Sequence, residues 1–397
     1  MTGPLAGLRI LDLSTVVAGP WAATLLADFG ADVVKVELPN GGDALRALAP
    51  HKDGVPLWWM TANRNKRGIT LDVRKPEGRA LLLQLLPRFD VLVENFRTGT
   101  MDGWGLDKDV LLAANPKLTI LRVTGFGQTG PYRNRPGFAR IFEAMSGLAH
   151  ITGEPDGPPM HAGFPVADAV AGLFGALGIL AALFHRQRHP DTPGQEIDLA
   201  ATEAMFRTID VLALEYDQLG RVRERSGNLN GYAAPSNVYR SRDGKFVSLA
   251  VSSQSVFERL AGAIAQPELL SDPRFADNMA RVANRTAIDA IVADWMATRD
   301  LAEIVALFDA HAVTCSPVYS IREIMTDPHF IAREMVTTVA DAELGPVKLH
   351  NVVPRFSETP AEIRSTGPRL GEHNAEVYGA LGLDADALAA LRARGVI

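Results

Sequence analysis

The chain of 397 residues holds one cysteine, Cys315, which excludes an intramolecular disulfide and any metal centre built from several thiolates. Its nine histidines are scattered and form no HExxH pair, so no zinc-protease ligand set exists and no metal is expected. A GxSxG elbow is absent, which removes the main signal for a serine hydrolase. Charge of one sign is gathered nowhere: 40 Lys and Arg stand against 46 Asp and Glu, a formal net charge of −6. Without a basic stripe, neither nucleic acid nor an anionic membrane is an expected partner. The first residues, Met1-Thr2-Gly3-Pro4-Leu5, lack the basic region and apolar core of a secretory signal, so a cytoplasmic location is expected. The longest apolar run, residues 169–184, falls short of the roughly 18–20 needed to cross a bilayer. Its many Ala and Gly predict a central core helix whose small residues let neighbouring backbones approach.

The rest is ordinary globular material, 47% hydrophobic and 22% charged, and long enough for two or three domain-sized cores. Leu8-Arg9-Ile10-Leu11-Asp12-Leu13 reads as a buried strand and Ala18-Gly19-Pro20 as a turn into a helix over residues 21–29. Ala31-Asp32-Val33-Val34-Lys35-Val36-Glu37 reads as a second strand. This βαβ unit predicts parallel strands in an α/β architecture. Glu37 closes the second strand where an acid would meet the ribose of a dinucleotide. Yet only Gly19 occupies the first turn and Pro20 follows it, so the three-glycine pyrophosphate loop is missing. Gly125-Phe126-Gly127-Gln128-Thr129-Gly130 matches GxGxxG in form, but Pro131 follows at once and no helix starts at the glycines. That loop reads instead as a cover over a ligand or a source of backbone amides for an oxyanion.

Arg64, Lys66 and Arg67 precede a short strand and fit phosphate recognition, with a solvated face as the alternative. The strand Val91-Leu92-Val93-Glu94-Asn95-Phe96 carries polar residues at its carboxyl end, where open α/β sheets bind ligands. After a polar, glycine-bearing stretch at residues 221–236, Arg242-Asp243-Gly244 between two strand-like runs signals a hairpin, and helical patterns follow. The expected organisation is a large domain over residues 1–220, a smaller α+β domain over 221–330, and a return segment over 331–397.

At the mouth of the long apolar run stands Asp168, after Pro165-Val166-Ala167. Aspartate is a favoured helix cap. A carboxylate at a buried helix start beside a Gly-rich loop also suits covalent nucleophilic catalysis, and the residues alone leave both readings open.

The ordered set Gly7-Leu8-Arg9-Ile10-Leu11-Asp12-Leu13, Ala18-Gly19-Pro20, Asn65-Lys66-Arg67, Val93-Glu94-Asn95-Phe96, Gly125-Phe126-Gly127, Ser146-Gly147, Asp168 and Leu370-Gly371-Glu372-His373 resembles the family III CoA-transferases. The resemblance covers nearly the whole chain. It implies a Rossmann-like large domain with a smaller domain, in a homodimer of interlocked subunits, and acyl-CoA and a carboxylic acid as substrates with no tightly bound cofactor. It places the nucleophile at Asp168. It places coenzyme A contacts at Val17, Ala18, Leu71, Asp72, Val73, Arg74, Asn95 and Phe96. Chemistry agrees, because a carboxylate attacks a thioester to give a mixed anhydride and free thiolate.

Three departures from the family pattern shape the expectations. Gly103 stands where an arginine is common, Val17 where the formyl-CoA enzymes have glutamine, and Pro136 where a basic residue follows the glycine loop. CoA phosphates are therefore expected at Arg74, Arg97 or Arg135. Gly227-Asn228-Leu229-Asn230-Gly231 stands near the place of a glycine-only loop. Phe138 occupies the position of the second base of the related racemases, so racemisation lacks a partner for Asp168. Trp58, Gly125 and Phe138 are the expected substrate neighbours. Arg46, Arg64, Arg97 and Arg135 suit a dicarboxylate donor such as succinyl-CoA. The competing readings are an acyl-CoA racemase or isomerase, or a CoA-binding protein without transfer, in which Asp168 acts as a base. More distant is an NAD oxidoreductase.

Overall fold

The computed structural model describes residues 3–397; Met1 and Thr2, part of the stretch read above for a signal sequence, lie outside the described residues. The chain folds into two compact units. The larger comprises residues up to Leu148 together with His161–Leu219 and Ile331–Ile397. The smaller comprises Ala149–Met160 and Gly220–Phe330.

The larger unit is built on six strands: β1 (Arg9–Asp12), β2 (Asp32–Glu37), β3 (Lys66–Thr70), β4 (Val91–Glu94), β5 (Thr119–Thr124) and β6 (Gln195–Ala200). They lie in the order β3-β2-β1-β4-β5-β6, every neighbouring pair parallel. Strands buried on both faces need apolar residues at successive positions, and these have them. Leu11, Val34, Leu92 and Ile120 face one layer with Leu82, Leu85 and Tyr378. Ile10, Val33, Val91 and Leu121 face the other, with Ala22, Leu26, Ala171 and Ile179.

That second layer contains helix α1 (Ala18–Asp28), α2 (Ala139–Ser146) and α3 (Val166–Arg188). Helix α1 starts at Ala18, earlier than the sequence pattern predicts, because Pro20 falls inside the first turn, where its missing N–H is no loss. Helix α3 runs 23 residues and contains an 18-residue stretch with a mean hydropathy of 2.1, so length and composition do not separate it from a membrane span; one side of it packs against α1 and the sheet. Ala171, Gly172, Gly175, Ala176 and Ile179 are buried. A Cβ added at Gly172 would lie 3.0 Å from the Trp21 Cβ and 3.2 Å from the Ala18 carbonyl oxygen. One added at Gly175 would lie 3.0 Å from Leu121 and 3.1 Å from Ala22. Gly172 thus lets the α3 backbone approach that of α1, and Gly175 leaves room for Ala22 of α1 and Leu121 of β5.

The segment from Ile331 onward belongs to the larger unit and forms the hairpin Val336–Asp341 with Gly345–His350. Its distal part binds the end of β3: Tyr378 donates to the Thr70 carbonyl (2.7 Å), Asn374 accepts from the Thr70 N–H (2.8 Å), and Asp72 N–H donates to the Val396 carbonyl (2.8 Å).

The smaller unit holds an antiparallel sheet of β7 (Ser236–Arg240), β8 (Phe246–Ala250) and β9 (Cys315–Pro317), with β8 central. Gly244, at φ +77°, turns β7 into β8 as the Asp-Gly signal predicts. Residues 221–235 contain no helix or strand and belong to this unit. Arg281, fully buried, donates to the carbonyls of Ala234 (2.8 Å) and Phe275 (3.2 Å) and to Gln254 (2.7 Å), and lies over the Phe257 ring.

Replacing Gly172 by valine inserts branched carbons where α1 and α3 touch. The expected loss is about 1–3 kcal/mol of stability, read as a lower urea midpoint.

Candidate active site

Strand order reverses between β1 and β4, and open α/β sheets bind ligands outside the carboxyl ends of the strands at such a reversal. Here β1 leads into Thr15-Val16-Val17, and β4 into Asn95-Phe96. The two loops are tied together. Thr15 N–H donates to the Asn95 Oδ1 (2.7 Å), and Asn95 Nδ2 donates back to the Thr15 carbonyl (2.8 Å). The Asn95 amide is therefore committed to the protein, and the part it can play is to hold the neighbouring loop.

A cavity of about 350 Å³ opens beside this tie, lined by Thr15, Leu71, Val73, Arg74, Phe96 and Arg97 among others. Five of the residues expected at coenzyme A thus share one wall system. Phe96 is set edge-on to Trp104 at 5.0 Å. Asp72 carries the Arg74 guanidinium on both oxygens (2.7 and 2.9 Å), and that contact holds the Asp72 carboxyl below its usual range. Arg74 accordingly meets any ligand already half engaged. The Glu94 carboxyl, buried under this corner, is pushed up to about 7 by its burial, against the N–H of Phe96, which it accepts at 2.7 Å. A larger cavity of about 600 Å³ mixes Arg67, Arg364 and Arg369 with Asp32, Glu343 and Glu376; it is lined by Arg46, Lys66 and Arg67 but by none of the residues expected at coenzyme A.

Val17, 2% exposed, packs with Leu45 and Trp59, and Trp58 flanks the same cluster. Val17 is the residue before α1, and Ala18 its first residue. The Ala18 carbonyl faces Gly172 on α3. Asp168 lies four residues before Gly172, on the same face of the helix, and so belongs to the side that meets the start of α1.

Asp168 is not the cap of α3. Pro165 holds that position, and Asp168 is the third helical residue with no capping hydrogen bond, which corrects the cap reading. The carboxylate makes no hydrogen bond or ion pair among the described residues. Burial pushes its carboxyl up to about 6, and the negative charge of Glu143 adds to the effect. Glu143, on α2, is 1% exposed; one of its oxygens meets His161 Nδ1 at 3.1 Å and the other has no partner among the described residues. Sequence reasoning missed Glu143. The available signal was its place in the buried stripe Ala139, Phe142, Glu143, Ser146, where a carboxylate is out of register with a structural core.

Gly125 and Gly137 press against the Phe142 ring: a Cβ at either would come within 2.4 and 2.5 Å of it. Phe126 stands edge-on to Phe142 and Tyr132, so the glycine loop is fastened by aromatic packing. Phe138 precedes α2 and is 77% exposed, presenting no titratable group. Arg135 lies over the Tyr132 ring at 3.6 Å and does not line the 350 Å³ cavity.

The expected cation cluster dissolves into structural pairs. Arg64 holds Asp28 (2.6 Å), Lys66 holds Asp12 (2.8 Å), and Arg67 holds Asp32 (2.8 Å) and Glu376 (2.7 Å). Arg64 and Lys66 are buried, so a solvated face does not describe those two, while Arg67 is partly exposed. Arg46 pairs with Glu37 (2.7 Å) and stacks on Trp59, which also accounts for the Glu37 carboxylate.

Because Glu143 disfavours the ionised form of Asp168, Glu143→Gln is expected to lower the Asp168 midpoint from about 6 toward the ordinary carboxyl range. Carbon NMR of carboxyl-labelled aspartate across a pH series reads this directly, and an unmoved midpoint contradicts it.

The profile of CoA-transferase family III matches residues 5–374. The chain is 44% identical over 396 residues to succinyl-CoA–D-citramalate CoA-transferase of Chloroflexus aurantiacus, covering 99% of this chain and 98% of the relative. It is also 44% identical over 401 residues to the beta subunit of succinyl-CoA–L-malate CoA-transferase of the same organism, covering 100% and 98%. Among solved structures, a CAIB/BAIF family protein from Brucella suis superposes with a TM-score of 0.85 at 35% identity, covering 96% of this chain and 100% of that one. Matches of this identity along both partners' length establish membership: the protein is an enzyme of CoA-transferase family III.

Proposed function

We propose that the enzyme moves coenzyme A from succinyl-CoA to a hydroxylated dicarboxylic acid, with Asp168 as the covalent acceptor. The observation that carries this reading is a lone carboxylate, without a partner among the described residues, at the foot of α3 beside the start of α1. The donor and acceptor classes rest on the names of the two relatives at 44% identity.

The steps balance without net proton transfer. An Asp168 oxygen attacks the thioester carbonyl, the C–S bond breaks, and the thiolate leaves a mixed anhydride. The thiolate then attacks the aspartyl carbonyl, releasing the donor acid and leaving an aspartyl-CoA thioester. The acceptor carboxylate displaces the thiolate to form a second anhydride, and the thiolate attacks its acceptor carbonyl, freeing Asp168 and the new acyl-CoA. A raised carboxyl pKa makes Asp168 more basic, hence a better nucleophile, once ionised above about 6. Holding the thiolate in place contributes up to roughly 7–11 kcal/mol where the geometry is ideal. The first amides of α1 lack helical acceptors and favour negative charge by about 0.3–1 kcal/mol.

In this reading Leu71, Val73, Phe96, Arg74 and Arg97 receive the nucleotide end of CoA, Arg97 being the guanidinium of that cavity without an ion pair among the described residues. Trp58, beside Val17, borders the acyl portion. Phe138 offers no proton, which disfavours racemisation.

Asp168→Ala is expected to lower transfer by more than ~10³-fold and to abolish the hydroxylamine-trappable adduct formed with succinyl-CoA. Wild-type-like turnover by the variant overturns the nucleophile, and a wild-type enzyme inert with succinyl-CoA but active with a monocarboxyl donor overturns the donor.

The assembly proposed is a homodimer with interlocked subunits. Its support in this chain is an exposed apolar side of α3, Leu173, Leu177 and Phe184, together with Ile141 and Phe206. Light scattering is expected to give twice the 42.8 kDa chain mass, and Leu177→Lys to shift it toward one chain.

A further inference from the structure

Val16 adopts φ +64°, in the left-handed region that a β-branched residue strongly resists. Such a conformation persists only where its surroundings enforce it. The enforcing group is Asp43. Val16 N–H donates to both Asp43 oxygens (3.0 and 3.2 Å), while Thr15, next to it, is held at both N–H and carbonyl by Asn95. Asp43 is itself rigidly seated. Its carboxylate is fully buried and 3.2 Å from the equally buried Lys35, which also donates to the Ser14 carbonyl. It accepts from the Leu45 N–H (2.9 Å), and its own N–H donates to Glu37 (3.0 Å). Both Thr15 and Asp43 line the 350 Å³ cavity.

The residue after Val16 is Val17, which precedes α1, and the start of α1 meets α3 one turn from Asp168. A Val16 relaxed to φ below zero would redirect the chain at this point and carry the first amides of α1 with it. We propose that Asp43 is a positioning residue: together with Asn95 it locks Thr15-Val16-Val17 into a left-handed turn that sets the start of α1 beside Asp168. The Asp43 carboxylate is engaged by the Val16 N–H, the Leu45 N–H and Lys35. It acts through the loop, and the unfavourable conformation of Val16 is what makes it necessary. The proposal rests on the CoA-transfer reading for its kinetic readout alone.

The test compares wild type, Asp43→Asn, Val16→Gly and the double variant. Asp43→Asn removes the charge that Lys35 holds and one acceptor of the Val16 N–H, and is expected to lower kcat/KM ~10–100-fold, the scale of a small misplacement of reacting groups. Glycine enters the left-handed region without strain, so the double variant is expected to be more active than Asp43→Asn alone. A double variant as impaired as the product of the two single losses overturns the proposal. Should Asp43→Asn fail to fold, Asn95→Ala removes the other tether and is judged by the same rescue with Val16→Gly. Amide hydrogen exchange at residues 15–18 provides a readout without substrate: faster exchange confined to this loop in Asp43→Asn supports the clamp, and unchanged protection overturns it. If wild type transfers no CoA while the loop still loosens in Asp43→Asn, the functional reading fails and the clamp stands.

Discussion

The close approach of α1 and α3 is the constraint on which the site depends. Gly172 sets its backbone against the Ala18 carbonyl and the Ala22 N–H, and Gly175 sits against the short Ala22 side chain, so the separation of the two helices is fixed by main-chain atoms and Cβ carbons and leaves little freedom to rotamers. Because Asp168 lies one turn from that contact, its distance from the first loop is inherited from the packing. A reactive group placed by two helices and a parallel sheet is held more exactly than one carried on a loop.

Around this contact, charge is distributed very unevenly. Burial alone would raise the Asp12 carboxyl, but Lys66 and Lys35 hold it below its ordinary range; Lys66 is pushed down to about 8 by burial in spite of Asp12. Lys35, pulled up by Asp12, Asp43 and Glu37, keeps its proton. Such pairs are weak sources of net stability and strong sources of geometry, since removing one partner strands the other. Asp168 is the contrast: its neighbour of note is another carboxylate. The same molecule neutralises the charges that frame the loop and leaves the Asp168 carboxylate unneutralised.

Much of the fold was legible because strands buried on both faces carry unbroken apolar runs, as in Ile10-Leu11 and Val33-Val34, and because Asp-Gly names its own turn. The place of Asp168 in the first turn of the long helix was legible from its position before the apolar run. Its role as a cap was misread because Pro165, three residues earlier, starts the helix. The ion pairs of Arg64, Lys66 and Arg67 were not legible because their partners Asp28, Asp12 and Asp32 lie 36, 54 and 35 residues away, and only the fold brings them together. Asp43 could not be found at all: nothing in a valine suggests a left-handed backbone. Glu143 offered a clue in its helical spacing, but its meaning depends on α3 passing nearby.

The wall of the 350 Å³ cavity is finished by the far end of the chain. Leu71, Val73 and Arg74 follow β3, whose end is gripped by Asn374, 304 residues away, by Tyr378, and through Asp72 by Val396. During synthesis, at roughly 5–20 residues per second, the sheet and the helix bearing Asp168 emerge well before this grip can form. The chain therefore completes the helix that carries Asp168 early and the wall of this cavity late, so an incomplete chain on the ribosome holds the carboxylate of the proposed function before the pocket proposed to receive its substrate is closed.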